Sequence, residues 1–189
     1  MTKLRLAILI SGRGSNMKAL IAACEQPDFP ATVSLVISNV PDAPGLDYAA
    51  QHGIETRVIN HKEFANRAAF ETELCAAFKD INLVCLAGFM RILGATFFEL
   101  CQIPVLNIHP SLLPKHKGLH THEAVLEAGD PVHGCTVHIV TPALDDGEII
   151  VQREVSVLAE DTAEILAARV LIEEHKAYPE AIRLLAARL

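Results

Sequence analysis

Short apolar runs alternate with helical stretches along most of this 189-residue chain, and that alternation limits the fold more than any other feature. Seven runs read as strands: Leu4–Ile10, Thr32–Ser38, Glu55–Ile59, Leu83–Ala87, Val105–His109, Cys135–Val140 and Ile149–Val157. Several are β-branched and bounded by Gly, Pro, Asn or Asp, as buried strands tend to be. Between them the pattern predicts helices over Asn16–Glu25, Gly45–His52, Lys62–Lys79, Ala95–Leu100 and Thr121–Ala128. A final helix is expected from Thr162 to Ala187, with Pro179 kinking or interrupting it. Such alternation implies right-handed βαβ units and a parallel sheet with helices on both faces. Only 141–148 separates the last two strands, so these should pair antiparallel at a mixed edge. The expected fold is α/β, a single domain over 1–189 around a mixed, mostly parallel sheet of about seven strands.

Composition removes several classes of partner. The formal charge is −7, from 16 basic and 23 acidic residues, and no basic run occurs. Nucleic-acid binders carry a concentrated basic face, so neither DNA nor RNA is expected. A small anionic ligand stays open, because a few local donors outweigh a mild global field. With 51% hydrophobic and 21% charged residues, the chain can bury a substantial core rather than stay disordered. Cys24, Cys75, Cys85, Cys101 and Cys135 are odd in number, scattered and free of C-x-x-C spacing. That suits buried thiols in a reducing cytoplasm better than a disulfide framework. Leu4–Ile10 is too short to span a bilayer and no cleavage site follows it, so no membrane partner is expected.

Three motifs carry chemistry. Ser11-Gly12-Arg13-Gly14-Ser15-Asn16 lies directly between the first strand and the first helix. Glycines admit a close ligand, and a helix N-terminus offers N–H groups and a positive dipole end, so a phosphate is the natural guest. The loop is neither a Walker A sequence nor a full G-x-G-x-x-G, and a plain glycine turn is the alternative. Second, Asn107 and His109 sit two apart at a strand end, on one face, before Pro110-Ser111-Leu112-Leu113-Pro114. Asn can donate to a developing oxyanion and His can supply a proton; a solvent-exposed polar strand end is the rival reading. Third, Leu144-Asp145-Asp146-Gly147 joins the last two strands. A carboxylate here, set beside His109, would orient and stabilise its imidazolium, though an ordinary Asp-Gly turn fits the local sequence as well. His116, His120, His122, His133 and His138 invite a metal, but no carboxylate or cysteine completes a familiar ligand set, and none is expected.

At these residues the chain resembles the phosphoribosylglycinamide formyltransferase family, folate-dependent enzymes of purine synthesis. The likeness runs in order through the glycine loop, Leu86-Ala87-Gly88-Phe89-Met90-Arg91-Ile92-Leu93, Asn107 to Pro114, Gly134-Cys135-Thr136-Val137-His138, Leu144 to Gly147, Glu174-His175 and Tyr178-Pro179. It implies a Rossmann-like domain with a phosphate-binding part over about 1–100 and a folate and catalytic part over about 86–189. The resemblance further implies 10-formyltetrahydrofolate as co-substrate, no metal, small-molecule partners only, and a monomer or homodimer. Gly14, Ser15 and Asn16 would hold the phosphate of phosphoribosylglycinamide, and Leu171, Ile172, Glu173 and Glu174 would meet the rest of it. Arg67, Met90, Arg91, Ile92, Leu93, Asn107, Thr141, Pro142, Ala143, Leu144 and Asp145 would line the folate site. Asn107, His109 and Asp145 would be the catalytic trio.

This chain departs from the family pattern at Asp146, a second carboxylate beside Asp145, at Glu148, and at Arg13 in the phosphate loop. Other formyl-folate enzymes are the nearest rivals. A methionyl-tRNA formyltransferase should add a basic RNA-binding domain, and a formyltetrahydrofolate hydrolase an N-terminal regulatory domain. A dinucleotide-binding protein should end its second strand on an acid, where this chain has Ile37-Ser38-Asn39.

Overall fold

In the computed structural model, which describes residues 3–188, seven strands form one sheet in the order β3-β2-β1-β4-β5-β6-β7. The elements follow as β1 (Leu4–Ile10), α1 (Ser15–Cys24), β2 (Ala31–Ser38), α2 (Pro44–Gln51), β3 (Glu55–Val58), α3 (Arg67–Ala76) and β4 (Leu83–Leu86). Then come α4 (Ala95–Leu100), β5 (Val105–His109), α5 (Thr121–Ala128), β6 (Val132–Ile139), β7 (Ile149–Ser156) and α6 (Ala163–Ala186). The chain divides into two compact units, Met1–Leu106 and Asn107–Leu189.

In the first unit β1 is the central strand. It pairs in parallel with β2 from Leu4↔Ala31 to Ile10↔Ser38, and with β4 from Leu6↔Leu83 to Leu9↔Leu86. Parallel strands covered by helices carry apolar side chains on both faces, and Leu6 to Ile10 accordingly show no exposure. Each such Leu or Ile contributes roughly 1.5–3 kcal/mol by leaving water. The chain steps outward from β1 to β3 and then returns to β4. Strand order therefore reverses between β1 and β4, where α/β sheets open a crevice at the strand C-termini.

The helix expected over Lys62–Lys79 is two pieces, a 3₁₀ turn at His61–Glu63 and α3. Asn60 accepts from Lys62 N and Asn66 accepts from Ala69 N, so two asparagine caps each start a new helix. The apolar spacing seen in the sequence runs through both pieces and hides the break.

In the second unit β6 and β7 pair antiparallel from Val132↔Ser156 to His138↔Ile149, as the short connection implies. β6 begins at Val132, three residues before the expected Cys135, because Gly134 masks the strand pattern. That glycine is required by contact: a Cβ there would stand 2.0 Å from Arg153 O on β7. Of the kink or interruption expected at Pro179, the interruption is absent, since α6 runs unbroken for 24 residues. Tyr178, Ala181 and Ile182 are fully buried around the proline, and that packing offsets the one hydrogen bond it cannot donate.

Gly134→Ala should therefore destabilise the protein by about 1–3 kcal/mol or more through overpacking against β7. Urea unfolding monitored by circular dichroism measures it, and an unchanged midpoint would contradict the tight β6–β7 approach.

Candidate active site

One candidate site lies in the first unit, at the order reversal. Ser11 to Asn16, Ala87, Gly88 and Met90 line a cavity of about 260 Å³ at the ends of β1 and β4. Gly14 caps α1 with φ at 67°, a left-handed conformation that favours glycine. The first turn of α1 carries no acidic residue, so the positive end of its dipole is not neutralised from within and suits a small anion. Gly45, at the start of α2, braces the loop by donating its N–H to Gly12 O at 3.1 Å. A Cβ on Gly45 would meet Ile10 Cδ1 at 2.5 Å and Gly12 O at 3.0 Å, so only glycine allows this approach.

A separate cluster lies in the second unit, at the end of β5. His109 is buried, and its Nε2–H donates to His116 O at 2.9 Å. Its Nδ1 lies 3.5 Å from Asp145 Oδ2, an ion-pair separation rather than a tight hydrogen bond. Asp145 reaches that position with φ at 47°, uncommon for a residue with a side chain, and accepts Gly118 N–H at 2.9 Å. Three successive loop residues thus meet His109 and the 145–146 turn. The His116 carbonyl meets His109, Lys117 pairs with Asp146, and the Gly118 amide meets Asp145. Lys117 engages Asp146, and Asp145 is the carboxylate that faces the imidazole.

Asn107 joins this cluster through His138. The Nδ1 of His138 is 3.0 Å from Ile139 O, which can only accept, so Nδ1 carries the proton. Burial pushes the His138 pKa below the ordinary imidazole value, leaving Nε2 as an acceptor. Asn107 Nδ2–H donates to it at 3.2 Å, which orients the amide and leaves its second N–H for other contacts. An oriented amide donor, an imidazole and a carboxylate at one strand end can stabilise an oxyanion and manage a proton.

Comparison with known proteins gives the chain a family. Residues 4–182 match the family model described as formyl transferase. The chain belongs to the formyl transferase family. It is 46% identical over 178 residues to the phosphoribosylglycinamide formyltransferase of Escherichia coli strain K12, covering 93% of this chain and 84% of that protein. The trifunctional purine biosynthetic protein adenosine-3 of Bos taurus is 50% identical over 186 residues, but the chain spans only 18% of its length. The crystal structure of phosphoribosylglycinamide formyltransferase from Brucella melitensis superposes with a TM-score of 0.94 at 48% identity, over 98% of this chain and 97% of that one.

The remaining sequence-selected residues of this formyl transferase fall out as follows. Arg67 opens α3 and packs on Gly94, where a Cβ would lie 3.0 Å from both its Cδ and Nη1. Met90, Arg91 and Ile92 are exposed and Leu93 is buried. Thr141 is half-buried, and Pro142, Ala143 and Leu144 are exposed ahead of Asp145. Leu171, Ile172, Glu173 and Glu174 are spread around α6, because successive helical residues turn by about 100°. Glu174 is buried, Leu171 half-buried and Ile172 exposed, while Glu173 pairs with Arg153 at 3.5 Å and Lys176 at 2.6 Å. Glu148 pairs with Arg188 at 2.8 Å.

Sequence reasoning missed Gly45, the orienting role of His138, and Glu71. The Glu71 carboxylate is buried and accepts Gly94 N–H at 2.5 Å and Phe97 N–H at 3.1 Å, holding the end of the Met90–Leu93 segment. An acid beside Phe70 and one turn before Leu74, on the apolar side of the helical pattern, is the signal that could have marked it.

Of the other histidines in the 116–133 stretch, His116 and His120 pair with acids and His122 with His133. His116 Nε2 is 2.8 Å from Asp130 Oδ2, and His122 Nδ1 is 3.0 Å from His133 Nε2. Among the described residues no group of three His, Cys, Asp or Glu is arranged to hold a metal. Burial lowers the pKa of both His122 and His133, the latter to about 4. Groups held neutral in the fold stabilise it above the unfolded imidazole pKa of about 6.5, and that contribution is lost as pH falls towards the folded value. The unfolding midpoint should therefore drop between pH 6.5 and 4, and His133→Leu should flatten the drop. Equal slopes for wild type and variant would contradict this assignment.

Proposed function

We propose that this formyl transferase moves the formyl group of 10-formyltetrahydrofolate to the amine of phosphoribosylglycinamide, a step of purine synthesis carried out as one domain in the cytoplasm. The observation that carries the reading is the convergence of half-buried Asn107 and Asp145 with buried His109 at one strand end, held by His138 and the 116–118 loop. The substrate phosphate fits the loop cavity, with Gly14, Ser15 and Asn16 as its partners. Glu174, buried in α6, would meet the glycinamide, with Leu171 one turn earlier. The residues offered to the folate would be Met90–Leu93 in the first unit and Thr141–Asp145 in the second, each segment carrying exposed apolar side chains, Met90 and Ile92 in one and Leu144 in the other. Arg67 would contact the same ligand. The five free cysteines support a reducing compartment, and no described helix is long and apolar enough to cross a membrane.

The substrate amine attacks the formyl carbon, a C–N bond forms, and the carbonyl electron pair moves onto oxygen. Asn107, with one N–H already directed at His138, turns the other to that oxygen. His109 adds a second donor once its Nε2–H turns from the His116 carbonyl to that oxygen, with Asp145 orienting the ring from the Nδ1 side. Collapse restores the carbonyl and breaks the bond to the folate nitrogen, which takes up the proton that the amine gives away. His109 or an ordered water carries that proton. Both donors act on charge present only after attack, so they lower the barrier rather than tighten ground-state binding.

His109→Ala and Asp145→Ala should each lower kcat by about 10²–10³ while leaving the fold intact. Steady-state kinetics with glycinamide ribonucleotide and a 10-formyl folate, beside circular dichroism spectra of each variant, tests this. Near-normal kcat in either folded variant would remove the mechanism.

A further inference from the structure

Ser11 lies in the wall of the loop cavity, yet its hydroxyl is turned to other work. Its N–H donates to Gly88 O at 3.2 Å, continuing the β1–β4 pairing past the strand ends. The Oγ accepts the backbone N–H of Met90 at 2.8 Å. A backbone amide can only donate, so the single hydroxyl proton is directed elsewhere, to Asn39 Oδ1 at 2.5 Å. Asn39 is 3% exposed at the end of β2, and the other end of its amide meets His61 Nδ1 at 3.1 Å. With its one proton given to Asn39, Ser11 has none for a bound anion. It is a strut between two ligand segments.

One end of the strut is the loop Gly12–Asn16; the other is Met90, the first residue of the Met90–Leu93 segment. Only Leu93 of that segment is buried, while Met90 is 68% and Ile92 61% exposed. Besides Leu93 it is fixed by hydrogen bonds, from Met90 N to Ser11 at one end and from Gly94 N to Glu71 at the other. A ligand that orders the loop therefore also orders Met90, and a ligand on the segment orders the loop. The second ligand to bind meets a segment already immobilised and loses less conformational freedom.

We infer that Ser11 is a positioning residue that couples the two ligand segments, so that the phosphorylated acceptor and the folate each tighten the other's binding through the Met90–Ser11–Asn39 hydrogen bonds. This rests on the proposed function. Linkage requires the effect to be reciprocal, whichever ligand binds first.

The test is calorimetric titration of glycinamide ribonucleotide into the full-length protein, alone and with saturating tetrahydrofolate, a folate with no formyl group to transfer. The reverse titration is run as well, on wild type, Ser11→Ala and Asn39→Ala. In the wild type each ligand should lower the other's Kd by about 5-fold or more, a typical coupling. In Ser11→Ala both ratios should fall to about one, and in Asn39→Ala they should fall in the same direction. A variant that merely loosens the fold would weaken both binary complexes and leave the ratio in place. A wild-type ratio of one, or a wild-type ratio retained in Ser11→Ala, overturns the coupling. Binding of neither ligand by the wild type overturns the functional reading, and the coupling with it.

Discussion

The Asp145 carboxylate, its side chain only 9% exposed, is the group on which the second unit's site depends. Removing a charge from water costs several kcal/mol unless partners replace the lost hydration. The partners here are the His109 imidazole and the Gly118 amide, and neither is local in sequence. Meeting them requires the left-handed turn at Asp145 and a folded 116–118 loop. It also requires a strand β5 that ends with His109 turned towards the acid. His138 enters the same cluster 3.7 Å from Asp145 Oδ1, and by accepting from Asn107 it extends the arrangement to the amide donor.

The first unit is governed by close backbone approach instead. Strand order reverses beside β1, and the loop that follows is held by Gly45 at one side and Gly88 at the other, both through main-chain hydrogen bonds. Glycine is needed at residue 14 for its backbone conformation and at 45 for space. The two units rely on different physics: main-chain geometry and a helix dipole in one, paired buried side chains in the other. A phosphate needs only donors and field, whereas an acyl transfer needs charge placed at particular atoms.

Much of this was legible in the sequence, and the reasons are specific. β1, β5, α4 and α5 match their expected bounds because each combines a clean period with a Gly, Pro or Asn boundary. Asn107 and His109 stood out as polar residues ending an apolar strand, and Asp145 as part of an ordered motif. The break at Asn66 was hidden because an apolar spacing runs through it, and the start of β6 because Gly134 has low strand preference. At Pro179 the interruption, one of the two outcomes expected, is absent, because the packing of Tyr178 and Ile182 that sustains α6 is tertiary. His138, Asn39 and Glu71 act through partners more than twenty residues away, except where His138 meets the next carbonyl. No local pattern reports such pairings. Asp145 rather than Asp146 follows from the register of the resemblance, and in the structure Asp145 faces His109 while Lys117 engages Asp146.

The central claim is that formyl transfer here requires the phosphorylated amine acceptor. It is tested most directly by following tetrahydrofolate release spectrophotometrically while purified wild-type protein is mixed with 10-formyltetrahydrofolate, with and without glycinamide ribonucleotide. The expected result is release only when the acceptor is present, matched mole for mole by formylglycinamide ribonucleotide. Release at the same rate without acceptor, or no release with both substrates present, would contradict it.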